Sequence, residues 1–144
     1  MENAPEAQTL QLQLEDILFP LQEVQTNQGH DPNGDRAGTQ LQYGNQIQKI
    51  EGQPGRYAVV VSVRTDNGRS KNPPYTFAVE AYALMNVTGG TDEAAIQTFI
   101  TSNGFPIIMG AIRERIAHLT GRSPWGRFLI NVIPLAPPTQ ITYI

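Results

Sequence analysis

Over residues 75–87 the chain alternates without a break. Tyr75, Phe77, Val79, Ala81, Ala83 and Met85 fall on one side of an extended backbone, and Thr76, Ala78, Glu80, Tyr82, Leu84 and Asn86 on the other. A helix would scatter these residues around its axis, so the run fits a β-strand. The first side is apolar throughout. The second is mixed, yet it carries Tyr82 and Leu84. Such a strand needs a covering layer on one face, and the other face must meet a partner subunit or an extended ligand.

Other segments of the same period supply a sheet around this strand. Residues 10–14 alternate leucine with glutamine, and residues 39–43 alternate again, with Ile47 and Ile50 extending the pattern imperfectly. Residues 57–64 are dense in β-branched side chains and form the best strand after 75–87. Pro20 is expected to end the first strand, because proline has no N–H to give to a central ladder. Residues 24–38, rich in Gly, Asn, Asp and Pro, read as a long loop. Gln53-Pro54-Gly55, Asp66-Asn67-Gly68 and Asn72-Pro73-Pro74 mark turns.

The covering layer is helical. Ile96, Phe99 and Ile100 fall at helical spacing, as do Ile108 or Met109, Ile112, Ile116 and Leu119. Thr91 is expected to cap the first turn, where Asp92 and Glu93 suit the positive end of the helix. Gly104 suits a helix end and Pro106 a helix start, so residues 91–119 read as one broken helix or two consecutive ones. Strands followed by helices give an α+β fold with an antiparallel sheet and helices on one face.

A chain of 144 residues is the size of one domain, placed at residues 10–144 behind a tail, 1–9, expected to fray. The net charge of −3 provides no basic field for nucleic acid. The absence of cysteine excludes disulfides, thiol catalysis and cysteine-based zinc sites. The acidic, polar start is no signal peptide, and no uninterrupted apolar run has the length of a membrane span. A soluble cytoplasmic protein is expected.

Candidate chemistry is sparse. His30-Asp31-Pro32-Asn33-Gly34-Asp35 is rich in oxygen ligands but lacks the spacing and closing glutamate of a calcium loop, and turn-formers explain it. His118 follows Glu114 by one helical turn, an ordinary intrahelical pairing. Arg113, Glu114, Arg115 and Arg122 read as a solvated helix face, with an anion site as the sharper alternative. Adjacent Glu15 and Asp16 point apart on a strand, and helix capping explains Asp92-Glu93. No serine stands in a nucleophile elbow and no glycine loop matches a phosphate cradle. The residues point away from an enzyme, and imply no catalytic group, no cofactor and no metal.

A hydrophobic surface is the more informative feature. Ser123-Pro124-Trp125-Gly126 sets a large ring between proline and glycine, in a loop expected to have freedom to move. Placed over the sheet, it would form an apolar groove for an extended chain with Tyr43, Tyr82, Leu84 and Phe128. The plain alternative is that Trp125 fills core space.

Several short patterns, in the same order along the chain, resemble the SecB family of protein-export chaperones. Leu10-Gln11-Leu12-Gln13 is similar to the family's opening strand, and Asp16-Ile17 with Phe19 to its Asp-Ile-x-Phe. Phe77-Ala78-Val79-Glu80 resembles the Phe-x-x-Glu of its fourth strand. Arg113-Glu114 with Ile116, then Arg122 and Trp125, resemble its Arg-Glu helix and the turn and aromatic that follow. Ile130-Asn131-Val132-Ile133-Pro134 resembles its Leu-Asn-Leu-Ala-Pro exit. The resemblance spans residues 10–137.

It implies a four-stranded antiparallel sheet backed by a long helix, assembled as a tetramer of paired dimers. It also implies a holdase that keeps unfolded polypeptide in apolar grooves without nucleotide. Asp16 and Glu80 match part of the acidic surface with which the family docks the SecA motor. The chain departs from the pattern in three places. Pro20 stands where a further acid belongs. The second helix is absent or reduced to a strand-like tail. The metal-binding tail that contacts SecA is missing, so export through SecA is in doubt. A relative with a dedicated client, such as an antitoxin or a phage or accessory protein, is the other reading: an interaction or assembly subunit.

Overall fold

The computed structural model describes residues 9–35, 38–131, 135 and 141–143. Four long strands come first: β1 (Gln11–Thr26), β2 (Leu41–Lys49), β3 (Arg56–Thr65) and β4 (Tyr75–Thr88). They pair antiparallel in the order β1-β4-β3-β2, and a short strand, β5 (Ile141–Tyr143), adds parallel to β2 at residues 47–49. One helical rod follows β4. It comprises α1 (Glu93–Phe99), a π-helical turn (Ile100–Gly104) and α2 (Phe105–Thr120). The architecture is the expected four-stranded antiparallel sheet with one long helix on it, plus the extra edge strand.

β4 and β3 are paired along most of their length on both sides, and β2 only over residues 47–49 on its β5 side. Tyr75, Phe77, Val79, Ala81, Ala83 and Met85 of β4 are all buried, and Val59, Val61 and Val63 of β3 lie beside them. Against this face pack Ile96, Ile100, Phe105, Ile108, Met109, Ile112 and Ile116 of the helical rod. The rod is long and apolar enough to cross a membrane by length and composition alone. Most of its large apolar residues pack on the sheet, as in a core helix, while Ile107 stays exposed.

β1 corrects the expectation that Pro20 ends the first strand and that a loop starts at residue 24. It runs on to Thr26, with register shifts against β4 between Leu14 and Asp16 and between Leu18 and Leu21. Each shift inserts one residue on β1, and each reverses which residues face the core. Leu12, Ile17, Phe19 and Val24 therefore all turn to the core although no single alternation joins them. Pro20 sits in the second bulge of a strand at the sheet edge, where its missing N–H breaks no central ladder.

The helix differs from expectation in two details. Its N-cap is Asp92, not Thr91, and no side chain caps it. No gap opens at Gly104 and Pro106, because the π turn carries the rod through. Buried positions recur every four residues at Ile96, Ile100, Gly104, Ile108, Ile112, Ile116 and Thr120. A pure α-helix of 3.6 residues per turn drifts away from a four-residue repeat, and one wider turn takes back part of that drift. Gly104 also lets the rod lie close to β4, since a Cβ there would meet Met85 Sδ at 3.0 Å.

The residues expected to form a strand-like exit end, as described, at Ile130 and Asn131 in irregular backbone; 132–134 lie outside the described residues, as does most of the 1–9 tail. Ile130 is buried, and Phe128 and Leu135 pack on the core.

Candidate functional site

The sheet has two faces, and strand register decides which sequence-predicted residues meet. Tyr43 lies opposite Val63, so it shares the face that carries the helix. Tyr82 lies between Leu18 and Val60, and Leu84 between Asp16 and Ala58, all on the opposite, outer face. Tyr43, Trp125 and Phe128 are therefore not assembled with Tyr82 and Leu84 into one groove.

On the helix side, an aromatic corner forms where α2 ends. Phe128 packs edge-on to Tyr75, with centroids 6.5 Å apart, and tilted on Phe77 at 5.6 Å. Thr120 holds the turn in place. Its hydroxyl donates to Ile116 O at 2.7 Å and accepts from the Phe128 amide at 2.8 Å, fully buried. Tyr75 is likewise buried, yet its hydroxyl works at both ends, donating to Gly126 O at 2.7 Å and accepting from the Trp125 amide at 3.0 Å.

Trp125 is thereby pinned. Its indole Nε1 donates to Asn27 O at 2.9 Å, and its ring lies 5.1 Å from that of His30. The expectation of a freely moving loop is corrected: the proline and glycine shape the turn, and hydrogen bonds to β4 and to the loop after β1 fix it. The ring is still about a third exposed, which makes it neither core filling nor a detached flap. Nothing in the local sequence pointed to Asn27 or Tyr75 as its anchors, because both contacts are long-range in sequence.

The loop after β1 is built by Asn72. Its amide donates to Asp31 O and Asp35 O and accepts from the Asp31 amide, while His30 Nδ1 donates to Asn72 O at 2.9 Å. The Asp31 carboxylate accepts from the Asn33 amide in an Asx turn. The oxygen-rich stretch is thus occupied by its own loop, and no cluster of three or more metal-ligating side chains occurs among the described residues.

On the outer face, Leu18 is 51% exposed, with Tyr82 and Leu84 half-buried beside it. Asp16 and Glu80 share this face and bracket them, opposite Leu84 and Leu21 of the neighbouring strand pair. Glu15, the bulge residue, reaches across to Arg56 at 2.9 Å.

Outside the helix lies a third feature. A groove of about 490 Å³ runs between α2 and the segment after it, lined by Gly110, Arg113, Glu114, Ala117, His118, Arg127 and Leu129. Leu129 is 47% exposed. Arg115, adjacent in sequence, turns the other way. It donates to Gln22 Oε1 of β1 at 2.6 and 2.9 Å and lies 5.5 Å over the Phe19 ring. The residues grouped as one solvated face are thus divided by the helix between two surfaces.

No protein-family model and no curated protein matches the sequence. Among solved structures, the chain is similar to a SecB-like chaperone of Mycobacterium tuberculosis in complex with a ChAD peptide from the HigA1 antitoxin. The identity is 16% and the TM-score 0.61, over 85% of this chain and 87% of that one. It is also similar to a protein of unknown function from Streptococcus agalactiae, with 8% identity and a TM-score of 0.51, over 85% of this chain and 98% of that one.

Proposed function

We propose that this chain, which has the SecB-like fold, is a holdase that binds non-native polypeptide without nucleotide. The observation that carries the reading is the set of large apolar side chains left in water. Leu14, Leu18, Ile107, Trp125 and Leu129 are each at least 36% exposed, although the core beneath them is closed. They are spread over several sides of the molecule. That distribution suits an unfolded chain held at many weak points better than one small ligand in one deep pocket. Burying apolar area yields about 25 cal/mol per Å² before the cost of ordering the client, so each point is weak alone and length supplies affinity.

The test is aggregation of a chemically unfolded client, followed by light scattering without nucleotide. Wild-type protein in several-fold excess should suppress aggregation, and Leu18→Gln with Leu129→Gln should suppress it less while folding normally. Unchanged aggregation with wild type would leave the assembly reading as the better account.

That second reading, an interaction subunit with one dedicated client, draws support from the mycobacterial structure, whose bound peptide comes from an antitoxin. It predicts tight binding of one sequence and indifference to unfolded proteins in general.

A further inference from the structure

We propose that the groove outside α2 selects client segments in which an acidic residue stands beside apolar ones, with Arg113 and Arg127 receiving the carboxylate. This rests on the polypeptide-binding reading above and adds the chemistry of the preferred segment.

Gly110 and Ala117 are two helical turns apart and lie on one side of α2 with Arg113, Glu114 and His118. Their small side chains make a shallow floor on which an extended backbone can lie close to the helix. Leu129 stands on the facing wall and offers an exposed apolar surface for a client side chain. Arg113 rises from the helix and Arg127 from the segment beyond it, so the two guanidinium groups flank the groove from different elements.

Charge identifies the occupant. The whole chain carries −3, yet this groove holds two arginines against the single carboxylate of Glu114. Among the described residues neither Arg113 nor Arg127 makes an ion pair; the pairs formed are Lys49–Glu93, Arg56–Glu15 and Arg69–Asp66. Arg115 shows the contrast, with its guanidinium engaged by Gln22 and Phe19. Two guanidinium forks with no ion pair among the described residues, beside an apolar floor, fit an anionic, partly apolar peptide, and a carboxylate is the anion a polypeptide carries. Three other grooves among the described residues lack this excess, the one at Lys49 and Glu51 being balanced. The one beside α1 contains Asp92 and no cation, and the one over β3 and β4 sets Arg64 against Glu23.

The experiment compares two labelled peptides, an alternating Leu/Asp sequence and its Leu/Asn counterpart, binding to the full chain by fluorescence anisotropy. The acidic peptide should bind about five- to tenfold more tightly at low salt, as two partly exposed charge pairs allow. The margin should shrink in added salt. It should vanish in the Arg113→Gln, Arg127→Gln double variant, which keeps its affinity for the Leu/Asn peptide. Leu129→Ser should weaken both peptides equally. Equal binding of the two peptides by wild type overturns the inference, as does a preference that survives in the double variant. A double variant with altered mass in light scattering also overturns it, because the groove is then an interface between copies of the chain. Failure of this inference alone leaves aggregation of unfolded clients still suppressed; failure of the underlying reading abolishes that suppression as well.

Discussion

Thr120 and Trp125 at the end of α2, and Tyr43 on β2, show how single side chains set stability. Replacing buried Thr120 by valine keeps the shape but removes the acceptor of the part-buried Phe128 amide. The expected loss is about 1–3 kcal/mol, read as a lower urea midpoint with an unchanged slope. Trp125→Phe keeps most of the ring contact with His30 and loses only the bond to Asn27 O, so about 0.5–1.5 kcal/mol is expected. At Tyr43, burial raises the phenol above its ordinary value of 10.0. A raised acid binds its proton more tightly when folded. Its contribution is whole below pH 10.0 and is lost as pH climbs through the raised value. Stability followed from pH 8 to 11 should therefore fall less in Tyr43→Phe than in wild type. Identical profiles would remove Tyr43 as the cause.

The helical rod depends on Gly104 for its closeness to β4. Gly104 has φ −80, an ordinary helical value, so an added side chain meets no backbone strain. An alanine Cβ would crowd the flexible end of Met85, at 3.0 and 3.2 Å, and touch Ile100 Cγ2 at 3.4 Å. The gain of about 1 kcal/mol from replacing glycine within a helix opposes that crowding. Gly104→Ala should thus change stability by less than about 1 kcal/mol. Gly104→Leu, which must displace the rod, should cost more than about 2 kcal/mol. Thermal unfolding of both variants checks this, and a strongly destabilised alanine variant would show that Met85 cannot give way. At the same scale, β1 explains what the sequence concealed. Leucine–glutamine alternation announces its first residues, but two bulges reverse the phase, and Pro20 within one of them mimics a strand end.

The lone molecule leaves Leu18 beside Tyr82 and Leu84 on the outer sheet face, an apolar area suited to self-association. We expect an oligomer, a tetramer by the resemblance to the SecB family, in light scattering at micromolar concentration. Leu18→Lys should lower its mass if the outer face is buried between copies. A wild-type monomer would count against assembly and leave these side chains to clients alone. Stable association would need about 800 Å² per partner, more than this cluster of side chains supplies without its surroundings.

Alternation and helical spacing were enough to determine the α+β class, the apolar side of β4 and the apolar side of the rod, because those patterns are set by the local geometry of each element. Every residue assigned to the inner side of β4 is buried. The candidate site was less legible. Tyr43 and Tyr82 are both half-exposed aromatics on strands, and only the pairing register puts them on opposite faces. Trp125 looked mobile between Pro124 and Gly126, and only the meeting of β4, the loop after β1 and the end of α2 supplies the Tyr75 hydroxyl and the Asn27 carbonyl that fix it. Arg113 and Arg115 are two places apart on one helix, yet one lines a groove and the other is held by β1. The sequence specifies which faces seek burial; bulges, register and the crossing of distant segments decide which side chains finally share a surface.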